Sequence, residues 1–363
     1  MLVRAIYDPD LERLVPRTAA TLEAWNGREV PDESAFAAMA ADLKIARANQ
    51  TAGTIGKRLN YEVPGARSGV AATARVLDRQ PDGPFRAVMI GADPMWGDRA
   101  TWAAIKRATH SLTPFYLLQT IDMRIDADGR FERVPKGEAV FVAVLVRTFG
   151  IAALVTLATL ILGYPVAFLL ASLPPKARNP LMILVLLPFF TSLLVRTTAW
   201  VVLLQGHGVI NDTLLGLGLI TERLPLIFHR TGTLAAMIHI QLPFTLLPIY
   251  SVMGGIPPSL TRAALSLGAS PLTAFRRVYV PQTLPGVGAG CLLTFILSLG
   301  YYITPALVGG PNDQMMSSFI AQYMNRELNW NMASALGAVL LAMTLAIYMV
   351  YARLLGIDRV RLG

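Results

Sequence analysis

Long stretches without a charged residue constrain this chain more than any other feature. Four windows of at least 25 residues contain no Asp, Glu, Lys or Arg, and a fifth is interrupted only by Arg196. A membrane-spanning helix needs about 20 mostly apolar residues, so each window is long enough to cross a bilayer. The sequence therefore predicts an all-α polytopic membrane protein. Its five predicted spans cover 142–172, 181–205, 232–254, 285–308 and 333–355.

The first part of the chain has a different composition. Residues 1–138 contain 19 Lys/Arg and 18 Asp/Glu, whereas 139–363 contain 13 and 5. We predict an extramembrane, mainly helical α+β segment at 1–138, a transmembrane domain at 139–356 and a tail at 357–363. Within the segment, helices are expected after Asp32, at 69–79 and at 98–109. A hairpin is expected at 120–135, with its turn around Gly129.

The charges of the short loops predict the orientation. Residues 174–180 carry Lys176 and Arg178 without an acid, and residues 255–283 carry three arginines without an acid. In the loops at 206–230 and 309–331, acidic residues offset the basic ones. The positive-inside rule then places 174–180, 255–283 and the C-terminal tail in the cytoplasm. The segment 1–138 is consequently predicted to be periplasmic.

That orientation requires an export signal for residues 1–138. The sequence opens MLVRAIYDPDLERLVPR, which contains no apolar signal region. Long domains are not exported merely because loop charges favour it. We therefore expect a sixth membrane helix upstream of Met1, missing from this sequence.

Several functional classes are disfavoured by composition. The net charge of +9 comes mostly from short loops between apolar runs rather than from one basic face, which argues against nucleic-acid binding. A single cysteine, Cys291, excludes an internal disulfide or a multi-cysteine metal site, and the four histidines show no metal-ligand spacing. GTIGK at 53–57 lacks the spacing of a phosphate-binding loop. We expect no metal and no cofactor on this chain, so NTP-driven work requires another polypeptide.

The stretch 259–286 is the most informative cytoplasmic segment. Its pattern predicts two short amphipathic helices, the first ended by Gly268 and the second opened by Ser270 and Pro271. Pro281 and Pro285 are expected to end the second helix before the next span. So much order in a loop indicates a docking element.

The same stretch resembles the conserved cytoplasmic loop of binding-protein-dependent ABC importer permeases, Glu-Ala-Ala-x3-Gly-x9-Ile-x-Leu-Pro. Here it reads Arg262-Ala263-Ala264-x3-Gly268-x9-Val278-x-Val280-Pro281, with Arg262 in place of the glutamate and valines in place of Ile and Leu. Residues 187–211 resemble the spermidine/putrescine-type branch. The likeness covers about 139–356.

The resemblance implies a permease subunit of the bacterial inner membrane that is not itself an enzyme. It would pass a small solute, polyamine-like or amino-acid/opine-like, to the cytoplasm by alternating access. The implied partners are an ABC ATPase dimer that binds ATP, a second permease subunit or a second copy of this chain, and a periplasmic solute-binding protein. The implied ATPase-coupling residues are Arg262, Ala263, Ala264, Leu267, Gly268, Val278, Val280 and Pro281.

The alternative is an ion-coupled carrier or an intramembrane enzyme that works without an ATPase. Both usually place ionisable groups inside the membrane, whereas all five acids after residue 138 are expected in loops or the tail. The candidate residues of the translocation path are Arg196, Trp200, Tyr301 and Tyr302. Arg196 has two interpretations: it braces helices through backbone carbonyls, or it contacts an anionic group of the solute.

Overall fold

The computed structural model describes residues 2–79 and 82–355, with side chains as far as Arg353. The predicted tail at 357–363 lies outside the described residues. The chain forms two compact units, which are described separately. The first comprises Met1–Phe141 with Leu328–Val339, and the second comprises Val142–Glu327 with Leu340–Gly363.

The first unit is mainly helical, as predicted. Its helices are α1 (Asp10–Leu14), α2 (Pro16–Glu23), α3 (Glu33–Ala48), α4 (Ala52–Leu59), α5 (Ala66–Arg79), α6 (Phe85–Ala92), α7 (Arg99–Ala108) and α8 (Phe115–Thr120). Strands β1 (Met123–Ile125) and β2 (Phe131–Arg133) pair antiparallel, and Gly129 takes φ +81° in the turn between them. The predicted hairpin and the three predicted helices are therefore confirmed.

Aromatic side chains form the centre of this unit. Phe36, Trp96 and Trp102 are completely buried, and the Phe36 and Trp102 rings meet edge to face at 4.7 Å. Asp98 caps α7 because its carboxylate accepts from the Ala100 N–H at 2.9 Å. The three rings belong to a larger cluster of buried apolar side chains that forms the core of this unit.

The rest of the chain is built from helices and short turns. They are α9 (Phe141–Ser172), α10 (Pro175–Leu186), α11 (Leu193–Leu204), α12 (Val209–Gly216), α13 (Arg230–Gly254), α14 (Pro258–Ser266), α15 (Pro271–Ala274), α16 (Val280–Gly300), α17 (Ile303–Val308), α18 (Met316–Asn325) and α19 (Trp330–Leu355). Among the described residues, five helical stretches are long and apolar enough to span a membrane: Phe141–Ser172, Leu193–Gly216, Arg230–Gly254, Pro271–Gly300 and Trp330–Arg353. The predicted polytopic all-α class is confirmed.

Two predicted spans have different bounds in the structure. The span at 181–205 is interrupted, because α10 ends at Leu186 and a 3-10 turn covers Leu187–Phe190. Pro188 lies in that turn and cannot donate the backbone hydrogen bond that a continuous helix requires. The span predicted at 285–308 starts earlier and stops at Gly300, because Tyr301 takes an extended conformation.

The expectation that Pro281 and Pro285 end a loop helix is wrong. One continuous helix runs over Pro271–Gly300, with a π-helical turn at Phe275–Tyr279. The Gln282 side chain donates to the Val278 carbonyl at 2.8 Å, so a side-chain donor supplements the backbone bonds beside Pro281. Prolines are tolerated inside membrane helices where such donors and local π turns satisfy the freed carbonyls.

Small and hydroxylated residues hold α9, α13 and α16 together. The Thr245 hydroxyl lies 2.8 Å from that of Thr159 on α9 and 2.6 Å from that of Thr294 on α16. All three threonines are completely buried. On α16, Gly290 approaches the Thr245 backbone so closely that a Cβ would lie 2.5 Å from the carbonyl oxygen. This packing by hydroxyls and glycine is typical of helices that associate in lipid.

Candidate coupling loop and polar path

The first loop helix, α14, begins at a proline and ends at a glycine. Pro258 occupies its first turn, where a missing N–H costs nothing. At its end, the Gly268 N–H donates to the Leu265 carbonyl at 3.0 Å and the Ala269 N–H donates to the Ala264 carbonyl at 3.1 Å. With φ +85° at Gly268, this pair of bonds is a Schellman motif. The structure therefore confirms that Gly268 ends this helix.

Apolar side chains of this helix and its end point away from the rest of the chain. No residue of α14 is buried. Leu260 and Leu265 are each 42% exposed, and Leu267 is 89% exposed. Arg262 and Ala263 are exposed beside them, whereas Ala264 is half-buried. Exposed apolar groups on one short segment suit contact with another protein or with lipid.

The second half of the loop is anchored to the membrane helices by aromatic rings. Phe168 of α9 meets the rings of Phe275 and Tyr279 edge to face at 5.4 and 5.5 Å, and those two rings stack at 5.7 Å. Val278 lies in the π-helical turn, and Val280 and Pro281 begin α16. The last three predicted coupling residues therefore belong to a continuous membrane helix. The four-residue spacing of Phe275 and Tyr279 is compatible with one face of a helix, which agrees with this anchor.

The loop helices are cationic as well as apolar. Arg262, Arg276 and Arg277 are exposed, and residues 255–283 contain no Asp or Glu. A partner surface that covers this loop would need apolar contacts for the leucines and oxygen acceptors for the guanidinium groups.

Three of the four predicted path residues lie in one neighbourhood. The Trp200 indole donates to His239 Nδ1 at 3.2 Å, and the two rings meet at 5.5 Å. Arg196 lies within electrostatic range of both His239 and Tyr301. Arg196 Nε and Nη1 are buried without a hydrogen-bond partner among the described residues. These two nitrogens therefore make none of the hydrogen bonds to backbone carbonyls that the first interpretation of Arg196 expects among the described residues.

Tyr301 and Tyr302 occupy the break between α16 and α17. The Tyr301 hydroxyl is buried, and its carbonyl accepts from the Ser317 hydroxyl at 2.9 Å. Tyr302 is 41% exposed and borders a cavity of about 430 Å3 that also contains Gln314 and Ser318. Arg196 does not border this cavity. Sequence reasoning missed His239, because a single histidine in an apolar run carries no spacing that predicts a contact.

The expectation that every acid lies in a loop or the tail needs one correction. Asp212 lies on α12, inside the apolar stretch Leu193–Gly216, and pairs with Arg223 at 2.7 Å. Asp313 lies in a short 3-10 turn, where its buried carboxylate pairs with Arg230 at 2.9 Å. Asp358 lies outside the described residues. Within the described part of the chain, no group of three His, Cys, Asp or Glu could hold a metal ion.

The described residues thus form a polytopic helical membrane protein with an exposed, cationic loop helix. Residues 160–357 match the family of binding-protein-dependent transport system inner membrane components, and the chain belongs to this family. It is a multi-pass protein of the bacterial inner membrane.

Curated relatives include two permeases of Escherichia coli (strain K12). The chain is 34% identical over 221 residues to the spermidine/putrescine transport system permease protein PotB. That alignment covers 60% of this chain and 80% of PotB. It is also 34% identical over 225 residues to the inner membrane ABC transporter permease protein YdcU, covering 59% of this chain and 71% of YdcU.

A solved structure has a similar fold. It is the bacterial alginate ABC transporter in complex with an alginate pentasaccharide-bound periplasmic protein, with a TM-score of 0.50 and 19% identity. The match covers 59% of this chain and 77% of that chain. The predicted family and the predicted inner-membrane location are confirmed.

Proposed function

We propose that this permease passes a polyamine-like solute from a periplasmic binding protein to the cytoplasm by alternating access. A separate ABC ATPase dimer binds and hydrolyses ATP, and a second permease subunit, or a second copy of this chain, completes the path. The likeness to PotB, which is named a spermidine/putrescine permease, supports the solute class. The family supports a binding protein and an inner-membrane complex in general terms.

The observation that carries this proposal is the exposed helix α14. Leu260 and Leu265 on this helix are each 42% exposed, and the Gly268 turn fixes the end of the helix. The aromatic contacts at Phe275 and Tyr279 join the loop to α9. A movement of α14 would therefore reach the membrane helices through the continuous helix Pro271–Gly300, which begins with α15. This is the connection that ATP-driven alternating access requires.

Replacement of Gly268 by valine tests the coupling role. A β-branched residue at φ +85° is strained, so we expect Gly268→Val to distort the end of α14 and to abolish recovery of the ATPase with the purified permease. Gly218→Val is the matched control, because Gly218 also has positive φ and open space around it. The control should retain the ATPase and ATP-dependent uptake. Normal ATPase recovery and uptake with Gly268→Val would overturn the coupling assignment.

A second candidate solute is amino-acid-like or opine-like, and Arg196 favours it. A guanidinium with two buried nitrogens that have no hydrogen-bond partner among the described residues suits a carboxylate better than a polyammonium chain. Trp200 and Tyr301 offer aromatic faces that either class of solute would contact. The two candidates therefore differ mainly in what Arg196 does.

Uptake into proteoliposomes that contain the complete complex distinguishes the candidates. Spermidine, putrescine, an opine and glutamate would be compared with the cognate binding protein present. The polyamine proposal expects uptake of spermidine or putrescine that survives Arg196→Gln. The second candidate expects uptake of glutamate or the opine, reduced at least about tenfold by Arg196→Gln through loss of a charge-assisted hydrogen bond.

A further inference from the structure

A polar cavity of about 520 Å3 lies inside the first unit, outside the predicted translocation path. It is bordered by α1, α4, α8 and the residues 328–331 at the beginning of α19. The Asn331 side-chain amide donates to the Tyr7 carbonyl at 3.1 Å, which joins two of the bordering segments. A volume of this size is within the range of small-molecule sites.

Arg58 is the buried charge of this cavity, and its side chain is only 4% exposed. Its Nε donates to Asp8 at 2.5 Å and its Nη1 donates to Glu62 at 3.0 Å. Glu62 also accepts from Arg107 at 3.3 Å. Two carboxylates thus face two guanidinium groups, and this network is neutral by itself.

The Asp8 carboxylate also accepts a hydrogen bond from a second side chain. The Tyr116 hydroxyl donates to Asp8 Oδ2 at 2.8 Å. Burial raises the pKa of this hydroxyl, so it remains protonated at neutral pH and keeps donating. Asp8 is therefore already occupied by Arg58 and Tyr116, and it is a poor site for a cationic ligand.

The remaining charged groups of the lining are mostly cations. Arg4, Arg13 and Lys57 border the cavity, against a single further acid, Asp10. Arg58 Nη2 is buried and has no hydrogen-bond partner among the described residues. The charged side chains that border the cavity, including Arg58 and Asp8, therefore sum to two positive charges. The rings of Tyr7, Tyr61 and Trp330 add flat faces.

We propose that this cavity binds a small solute that carries an oxyanion, either a carboxylate or a phosphate group. Guanidinium groups are the side chains best suited to such groups, because their planar N–H pairs match the oxyanion geometry. A polyamine would meet more cations than carboxylates in this lining. The site is thus complementary to a different ligand class from the polyamine proposed for the membrane path, and it does not depend on that proposal.

Calorimetry on the full chain in detergent tests the cavity with three probes: succinate, inorganic phosphate and spermidine. The test variant is Arg4→Gln/Arg13→Gln, which removes two exposed cations of the lining and leaves the buried Arg58 network intact. Arg17→Gln/Arg75→Gln is the matched control, because both side chains are exposed and neither borders the cavity. It changes the net charge by the same amount.

We expect succinate or phosphate to bind the unmodified chain, and the stronger of the two identifies the natural oxyanion. The test variant should bind that probe about tenfold more weakly, since it loses two of the cations that attract the oxyanion. The control should bind as the unmodified chain does. Absence of binding by both anions, equal weakening in the two double variants, or tighter binding of spermidine would each overturn the proposal.

Discussion

At the scale of single residues, the burial of an ion pair decides how much it contributes. The Asp313 side chain is 5% exposed, and it accepts from Arg230 at 2.9 Å and from the Gly310 N–H at 3.2 Å. The Asp212 side chain is 55% exposed, although its partner Arg223 is just as close at 2.7 Å. The two aspartates therefore make similar bonds in very different surroundings.

We expect Asp313→Ala to lower the free energy of unfolding by about 1–3 kcal/mol, because it leaves the buried Gly310 N–H without an acceptor. Asp212→Ala should cost less than about 1 kcal/mol, since water screens an exposed pair. Thermal unfolding of the purified chain in one detergent measures both changes. Equal shifts in melting temperature for the two variants would contradict this dependence on burial.

Some residue roles could be predicted from the sequence and others could not. Gly268 was predictable because a glycine after an amphipathic run commonly ends a helix, and its φ of +85° agrees. The contact of His239 with Trp200 was not predictable, because the two residues lie on different helices, 39 positions apart. The buried ion pair of Arg58 was not predictable for a related reason. Its partner Asp8 is 50 residues away, and only the fold brings them together.

At the scale of helices, close approach of backbones holds α13 and α16 together. A Cβ at Gly290 would lie 2.5 Å from the Thr245 carbonyl oxygen, and one at Gly286 would lie 2.9 Å from the Pro248 carbonyl oxygen. Both neighbours are backbone atoms, which cannot rotate away as a flexible side chain would. Any side chain at these glycines must therefore separate the two helices.

We expect Gly290→Ala to destabilise the chain by about 1–3 kcal/mol through overpacking. Gly150→Ala is the matched control on α9, because nothing lies within 4 Å of a Cβ there. The control should be neutral or slightly stabilising, since alanine favours helix more than glycine does. Melting temperatures in detergent give the comparison. If both variants melt at the same temperature, the helices are not held by this approach.

The helix boundaries show why a sequence pattern has limits. Apolar windows predicted the number of spans, since each window is as long as a bilayer is thick. They did not predict that a turn at Pro188 divides one span. They also did not predict that Pro281 and Pro285 lie within a continuous helix. That outcome depends on a local π turn and on the Gln282 side chain, which donates to a carbonyl near the proline. Such compensation comes from particular neighbours and leaves no regular pattern.

At the scale of the whole molecule, orientation in the membrane is still a prediction from charge. The loop 255–283 has three arginines and no acid, and its helix α14 has the exposed leucines of a docking surface. Both features favour the cytoplasm, where lysine and arginine accumulate in short loops and where ATP is available to a partner. The first unit would then face the periplasm.

Cysteine labelling checks this orientation with few changes, because the chain contains one cysteine. In a Cys291→Ala background, Arg75→Cys places a thiol on the exposed side of α5 and Ser266→Cys places one at the end of α14. We expect a membrane-impermeant maleimide to label Arg75→Cys in intact cells, and to label Ser266→Cys only after the membrane is permeabilised. Both thiols are exposed in the fold, so a difference between them reports the side of the membrane rather than burial. The reverse pattern would place the docking loop away from ATP and would overturn both the orientation and the coupling proposal that depends on it.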